Sequence, residues 1–266
     1  MELVDIGVNL THSSFRQDRE AVIDRALQAS VTQMIVTGAS LAGSLAAREL
    51  AIQYPGRLYA TAGIHPHAAR DWRDDTGPAL ADLAAHPEVV ALGEMGLDFN
   101  RNYSPTADQE RAFEAQLELS VELRLPVFLH ERDARQALLR ILGRYRDRLG
   151  PAVVHCFTGS ADDLTAYLEW DLYVGITGWI CDERRGLHLR DLIQRIPLER
   201  LMLETDAPFL LPRDLLPVPQ GRRNEPAFLP HVLNRVATCL ELPAETVATA
   251  TTGNARRFFG LDSLAN

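Results

Sequence analysis

Three histidines and three carboxylates carry the chemistry in this sequence, and each stands at the end of a short apolar run. The run at 58–64 leads into His65-Pro66-His67, that at 89–93 into Glu94, that at 126–129 into His130 and that at 152–154 into His155, while the run at 201–205 closes on Glu204-Thr205-Asp206. Imidazole and carboxylate together suit Zn2+, Mn2+ or Fe2+, and with several carboxylates and water also Mg2+. A single histidine after an apolar run is ordinarily a hydrogen-bonded structural residue. Ligand-type side chains at several separate strand ends change that balance, because a buried carboxylate cluster is costly unless a cation compensates it. Strand alternation places Glu204 and Asp206 on one side and turns Cys156 away from His155, which makes Cys156 a poor ligand. His12, His86, His188 and His231 fall in helical or loop contexts and read as structural.

Residues so distant in sequence meet only if the ends of their strands converge. Eight runs rich in Val, Ile and Leu, at 3–8, 33–37, 58–64, 89–93, 126–129, 152–154, 172–177 and 201–205, have the continuous apolar character of strands covered on both faces. Amphipathic segments separate them. The clearest predicts a helix over 106–124, with Thr106 and Gln109 as a capping box and Phe113, Leu117, Val121 and Leu125 at i, i+4 spacing. Eight strand-helix units predict an α/β chain forming a single (β/α)8 TIM-like barrel, whose strand C-termini share one mouth. An open doubly wound sheet competes, but no G-x-G-x-x-G follows the first run. Without a linker or an internal repeat, residues 1–266 read as one domain. The proline-rich stretch 208–230 predicts an extended loop, and 244–259 a final helix or pair of helices.

Composition narrows the chemistry further. With 266 residues and 46% hydrophobic content the chain has the means for a substantial core. No apolar run is long enough for a membrane span, and the acidic start Met-Glu-Leu-Val-Asp lacks the pattern of a secretory signal, so a soluble, cytoplasmic protein is expected. Cys156, Cys181 and Cys239 have neither disulfide nor zinc-module spacing. All 27 cationic side chains are arginine, which excludes Schiff-base lysines, P-loop lysines and carbamylated-lysine metal bridges. A net charge of −9 argues against general polyanion binding, yet Arg101, Arg132, Arg184, Arg185, Arg213, Arg222 and Arg223 gather after the fourth, fifth, seventh and eighth runs. Of these, Arg132, Arg185, Arg222 and Arg223 are the candidate substrate contacts, since a planar guanidinium favours bidentate contact with phosphate. A metal pocket rimmed by arginine suggests a phosphoester. Trp72, Trp170 and Trp179 read as packing residues, although Trp179 follows a strand end where an indole can stack on a base.

Six ordered motifs make the comparison specific: Asp5-Ile6-Gly7-Val8-Asn9-Leu10, Ala62-Gly63-Ile64-His65-Pro66-His67, Gly93-Glu94-Met95-Gly96-Leu97-Asp98-Phe99, Pro126-Val127-Phe128-Leu129-His130, Val154-His155-Cys156-Phe157-Thr158-Gly159 and Glu204-Thr205-Asp206-Ala207-Pro208. With the segment Arg222-Arg223-Asn224-Glu225-Pro226, the chain resembles the TatD family of metal-dependent deoxyribonucleases over nearly its full length. The resemblance implies a barrel of the metallo-dependent hydrolase superfamily. It also implies a divalent cation, Mg2+ before Mn2+ or Zn2+, and 3'-5' exonuclease action on single-stranded DNA ends by a cytoplasmic monomer. A role in DNA repair goes with it. By the same resemblance Glu94, His130, His155 and Asp206 are metal ligands, with Asp206 also catalytic, and His65 and Glu204 are further catalytic positions. Most relatives end the first strand in His-x-His, where this chain has Gly7 and Asn9.

Two rival functions follow from the same residues. A metal-activated water attacks carbon as readily as phosphorus, so a deacylase or esterase of the amidohydrolase type is the alternative. A non-catalytic nucleic-acid-binding protein is the third reading, against which the polar strand ends stand. Gly7 offers no donor and Asn9 only a neutral amide, so a second ion at the first strand should be held weakly and arrive with substrate phosphates. Metal analysis of the dialysed protein should therefore find no more than one tightly retained ion per chain; two would contradict the reading.

Overall fold

The computed structural model describes residues 1–263. The strands are β1 (Leu3–Val8), β2 (Val31–Val36), β3 (Leu58–Ala62), β4 (Val89–Asp98), β5 (Val127–Arg132), β6 (Ala152–Val154), β7 (Tyr173–Ile176) and β8 (Leu201–Leu203). The helices are α1 (Arg19–Gln28), α2 (Leu41–Gln53), α3 (Thr76–Ala84), α4 (Thr106–Leu123), α5 (Arg135–Leu142), α6 (Ala161–Glu169), α7 (Leu187–Leu192), α8 (Leu229–Leu240) and α9 (Ala244–Phe259). The eight strands form one sheet in sequence order. The β3/β4, β4/β5, β5/β6 and β7/β8 pairs are parallel. Past the end of β8 the chain returns to β1: the Asp206 N–H donates to the Gly7 carbonyl (2.9 Å) and the Asn9 N–H to the Ala207 carbonyl (2.7 Å). The expected (β/α)8 barrel class is the one observed.

Two compact units are distinguishable. The first, Met1–Ile35 with Cys156–Arg257, packs Ile6, Phe15, Ile23, Tyr167, Leu233 and Val236 out of solvent. The second, Val36–His155 with the residues from Phe258 onward, is centred on β3 to β6. Its strands are apolar along their length because α2 to α5 cover them, as a parallel sheet requires. Phe113 and Leu117 on α4 and Phe128 on β5 are fully buried, each such side chain stabilising the fold by about 1.5–3 kcal/mol.

One local expectation fails for a stated reason, while the long loop expected after the eighth strand is present. The capping box does not form: Pro105 takes the N-cap position without a side-chain bond, Thr106 begins the helix, and Gln109 is buried in a different task. The stretch 208–230 is a chain of turns and short 3-10 segments that ends where α8 begins at Leu229. The final helix spans Ala244–Phe259 as expected.

β4 outlasts its expected end at Gly93 because two glycines let it pass close to β5. Gly93 (φ 133°) and Gly96 (φ 142°) lie where L side chains rarely go, and a Cβ on them would strike the carbonyl oxygens of Phe128 and His130 respectively. Gly96→Ala should lower stability by about 2–3 kcal/mol in urea unfolding, since steric displacement of β5 adds to the backbone strain. Gly56→Ala, also at positive φ but in open space, should cost only about 1 kcal/mol. Equal losses at the two positions would contradict the close-approach account.

Candidate active site

The second unit brings three of the expected imidazoles onto one expected carboxylate, that of Glu94. Glu94 lies within β4 with its N–H bonded to the Gly38 carbonyl (2.8 Å), and the residue is 8% exposed. Its Oε1 lies 2.7 Å from His155 Nε2, 2.9 Å from His130 Nδ1 and 3.3 Å from His65 Nε2. Burial pushes the Glu94 carboxyl up, but the charges of His155 and His65 and the hydrogen bonds from His130 and His155 outweigh it and hold the group well below the usual carboxylate range. Burial likewise depresses His130, yet Asp98 and Glu94 raise it above an ordinary imidazole, while for His65 burial prevails and lowers it.

Ring chemistry divides the three imidazoles. The His67 backbone N–H donates to His65 Nδ1 (3.0 Å), so the proton of neutral His65 sits on Nε2, which makes that atom a donor and not a ligand. His130 faces Glu94 through Nδ1 and His155 through Nε2. One carboxylate oxygen has two lone pairs and cannot satisfy three ring nitrogens. His130 Nε2 is buried without a hydrogen-bond partner, 3.6 Å from Asp98 Oδ2. Glu94, His130 and His155 present one carboxylate and two imidazoles within hydrogen-bond distance of a single oxygen, a donor set that fits a divalent cation.

Helix α4 aims the strand ends through two buried amides that sequence reasoning passed over. Gln116 accepts the Ile64 N–H (2.7 Å) and donates to the Ile64 carbonyl (3.1 Å), fixing the residue before His65. Two turns earlier on the helix, Gln109 accepts the Asp98 N–H (2.8 Å) and donates to the carbonyls of Asp98 (3.1 Å) and Ser104 (2.9 Å). Their signal in the sequence is a pair of glutamines spaced seven apart within the helix's apolar pattern. Asp98 was also missed. Four positions past Glu94 on the strand, it is buried, bonds His67 Nε2 (2.7 Å) and is held far below the usual carboxylate range: the nearby His130 ring and the hydrogen bonds from the Arg101 N–H and His67 outweigh its desolvation.

Glu204 and Asp206 belong to the first unit. Glu204 is fully buried and its carboxylate takes the Cys156 N–H in a short hydrogen bond, which ties down the residue after His155. The alternation expected of Glu204 and Asp206 does not extend this far, because β8 stops at Leu203 and Asp206 sits at φ 54°. Asn9 Nδ2 donates to Asp206 Oδ1 (2.9 Å), so this amide at the end of β1 orients the aspartate. Asp5, an unanticipated participant, takes the Thr205 hydroxyl (2.5 Å) and N–H (2.9 Å) and shapes the turn into Asp206.

The arginines separate into two groups. Arg132, Arg185 and Arg222 are exposed, and among the described residues none of the three forms a side-chain ion pair. Arg223 is committed: it bonds Asp18 (2.7 Å) and Glu225 (2.7 Å) and lies over the Phe15 ring at 4.7 Å. A second group of ligand-type residues, Cys181, Asp214 and His231, has its charge already balanced, since Asp214 pairs with His231 (2.6 Å) and with Arg235. Trp179 is half-buried.

An eight-stranded barrel with a buried carboxylate-imidazole cluster at its strand ends defines a metal-dependent hydrolase. Residues 4–260 match the TatD related DNases, and the chain belongs to that family. Proteins called 3'-5' ssDNA/RNA exonuclease TatD are similar throughout: 53% identical in Citrobacter rodentium (97% of this chain, 98% of the relative) and 50% in Escherichia coli K12 (97% and 99%). Among solved structures, a TatD homologue from Escherichia coli superposes with TM-score 0.88 at 30% identity (97% and 98% covered). A TatD family hydrolase from Entamoeba histolytica, at 23% identity, shares the fold with TM-score 0.88 (97% and 98%). Among the described residues no helix is long and apolar enough to cross a membrane.

Burial pushes the Asp5 carboxyl up to about 7 despite the hydrogen bonds from Thr205. The folded state thus favours its protonated form, a contribution fully present below the unfolded value near 3.8 and lost as pH rises through about 7. Asp5→Asn, which keeps the acceptor and cannot ionise, should lose less stability than the native chain between about pH 4 and 7. Urea midpoints across that window measure it, and parallel curves would contradict the assignment.

Proposed function

We propose that this chain is a divalent-metal-dependent phosphodiesterase that removes nucleotides from the 3' ends of single-stranded DNA, with RNA a second substrate as the names of its relatives indicate. The observation that carries the reading is Glu94 with His130 and His155 around one buried oxygen, in a chain of the TatD related DNase family. The deacylase alternative is not favoured, because relatives sharing half of the residues carry exonuclease names. Glu94, His130, His155 and Asp206 are the proposed ligands, and Mg2+ the proposed ion, with Mn2+ and Zn2+ compatible with the imidazole content. Such an ion would lower the pKa of a bound water and supply the nucleophile.

The chain's own groups do the rest. Asp206, oriented by Asn9, accepts the proton of the attacking water. His65 offers its Nε2 proton to a phosphoryl oxygen as charge develops there. Glu204 is a positioning residue that holds the Cys156 backbone and through it His155. Arg132, Arg185 and Arg222 contact the phosphates, while Arg223 braces the segment that carries Arg222. Residues 1–266 act as one catalytic domain and, since every required side chain comes from one chain, as a monomer. Cysteines whose spacing matches no disulfide framework support a reducing, cytoplasmic setting, and DNA repair is the process we propose it serves.

A 3'-labelled single strand incubated with purified protein should be degraded with Mg2+ and spared with EDTA. Asp206→Ala should cut hydrolysis at least about 100-fold, the usual loss on removing a general base, while strand binding measured by anisotropy stays within a few-fold. Hydrolysis in EDTA, or full activity without Asp206, would contradict the mechanism.

A further inference from the structure

Beside the carboxylate cluster, the loop between β4 and α4 holds an aromatic ring outward on a rigid base. Tyr103 is 50% exposed, although its neighbours are tightly bonded. Asp98 Oδ1 accepts the N–H groups of Asn100 (3.0 Å) and Arg101 (2.8 Å), and Asn102 returns its side-chain amide to the Phe99 carbonyl (2.6 Å). Ser104, fully buried, donates to the His67 carbonyl (2.9 Å) and accepts the Arg70 N–H (3.0 Å), and Gln109 grips the Ser104 carbonyl. A loop so fully bonded has no need of a half-exposed ring for its own stability.

That ring is the outer end of an aromatic series reaching the cluster. Tyr103 meets His67 edge to face at 4.6 Å between centroids, His67 meets His65 at 4.2 Å, and His65 meets His130 at 4.4 Å. His67 cannot swing away, because Asp98 holds its Nε2. Two residues before Tyr103, the exposed Arg101 forms no side-chain ion pair among the described residues. An aromatic face next to an available guanidinium, one residue type for the base and one for the phosphate, is the pattern by which single strands are held without sequence preference.

We propose that Tyr103 is the platform on which the terminal base of a single-stranded nucleic acid stacks, with Arg101 taking a phosphate of the same end. The proposal rests on the exonuclease reading above and adds the group that recognises the end. Stacking needs only a π-face, so the platform accepts any of the bases and favours ends whose last base is unpaired. Because the loop is fixed before substrate arrives, little ordering cost opposes binding.

The test uses the full chain and an oligonucleotide with 2-aminopurine at its 3' end. In EDTA, binding should quench the probe with wild type and Tyr103→Phe but not with Tyr103→Ala, thermal melting confirming that both variants fold. With Mg2+, Tyr103→Ala should lower kcat/KM on a base-ended strand by about 5- to 150-fold, mainly through KM, the range set by one lost stacking contact. On a strand ending in an abasic sugar, the difference between wild type and Tyr103→Ala should shrink to within about twofold. No quenching with wild type, or an equal loss on the abasic strand, would overturn the proposal. If wild type degrades no single strand at all, the exonuclease reading fails by itself, and the quenching measurement still decides whether Tyr103 stacks a base.

Discussion

Desolvation of the Glu94 carboxylate is the constraint on which the rest of the site depends. Taking an ionised carboxylate out of water costs several kcal/mol unless opposite charge accompanies it. Here the compensation comes from His155, His130 and His65, all converging on one oxygen. The carboxylate stays ionised because those rings surround it, and their polarity is tolerated in the interior because the carboxylate is there. Three nitrogens around two lone pairs is nevertheless an excess of ring atoms, which the proposed divalent cation, if held by His130 and His155, would resolve.

Such a cluster works only if its members are held to a fraction of an ångström, and the fold supplies the holding through backbone bonds. Gly93 and Gly96 permit the approach of β4 to β5 that brings Glu94 and His130 together. Gln116 and Gln109 bond the strand ends at Ile64 and Asp98, spending buried amides on backbone groups that the sheet leaves unpaired. In the first unit Asp5 does the same for Thr205, and Asn9 for the Asp206 carboxylate itself. The neutral amide of Asn9 thus controls the orientation of an aspartate.

Much of this was legible in the sequence. Apolar runs interrupted by His, Glu and Asp mark the strand ends, and the barrel follows from counting them, since a fully covered strand shows its pattern without reference to partners. What stayed hidden depends on those partners. Thr106 and Gln109 have the local spacing of a capping box, but Gln109 gains more by satisfying the buried backbone of Asp98 and Ser104 than by capping its own helix. Glu204 and Asp206 have strand spacing, yet the strand ends before them. The proton position on His65 is set by the His67 N–H, a bond no spacing rule reports. Family resemblance gives the residues, and the hydrogen bonds then separate ligand from donor.

Anomalous diffraction from a crystal soaked in Mn2+ tests the central claim most directly. The account predicts a manganese peak within bonding distance, about 2.0–2.3 Å, of Glu94 and of at least one of His130 and His155, with His65 Nε2 outside the coordination sphere. A peak bonded to His65, a peak confined to Cys181, Asp214 and His231, or no peak beside Glu94 would contradict it.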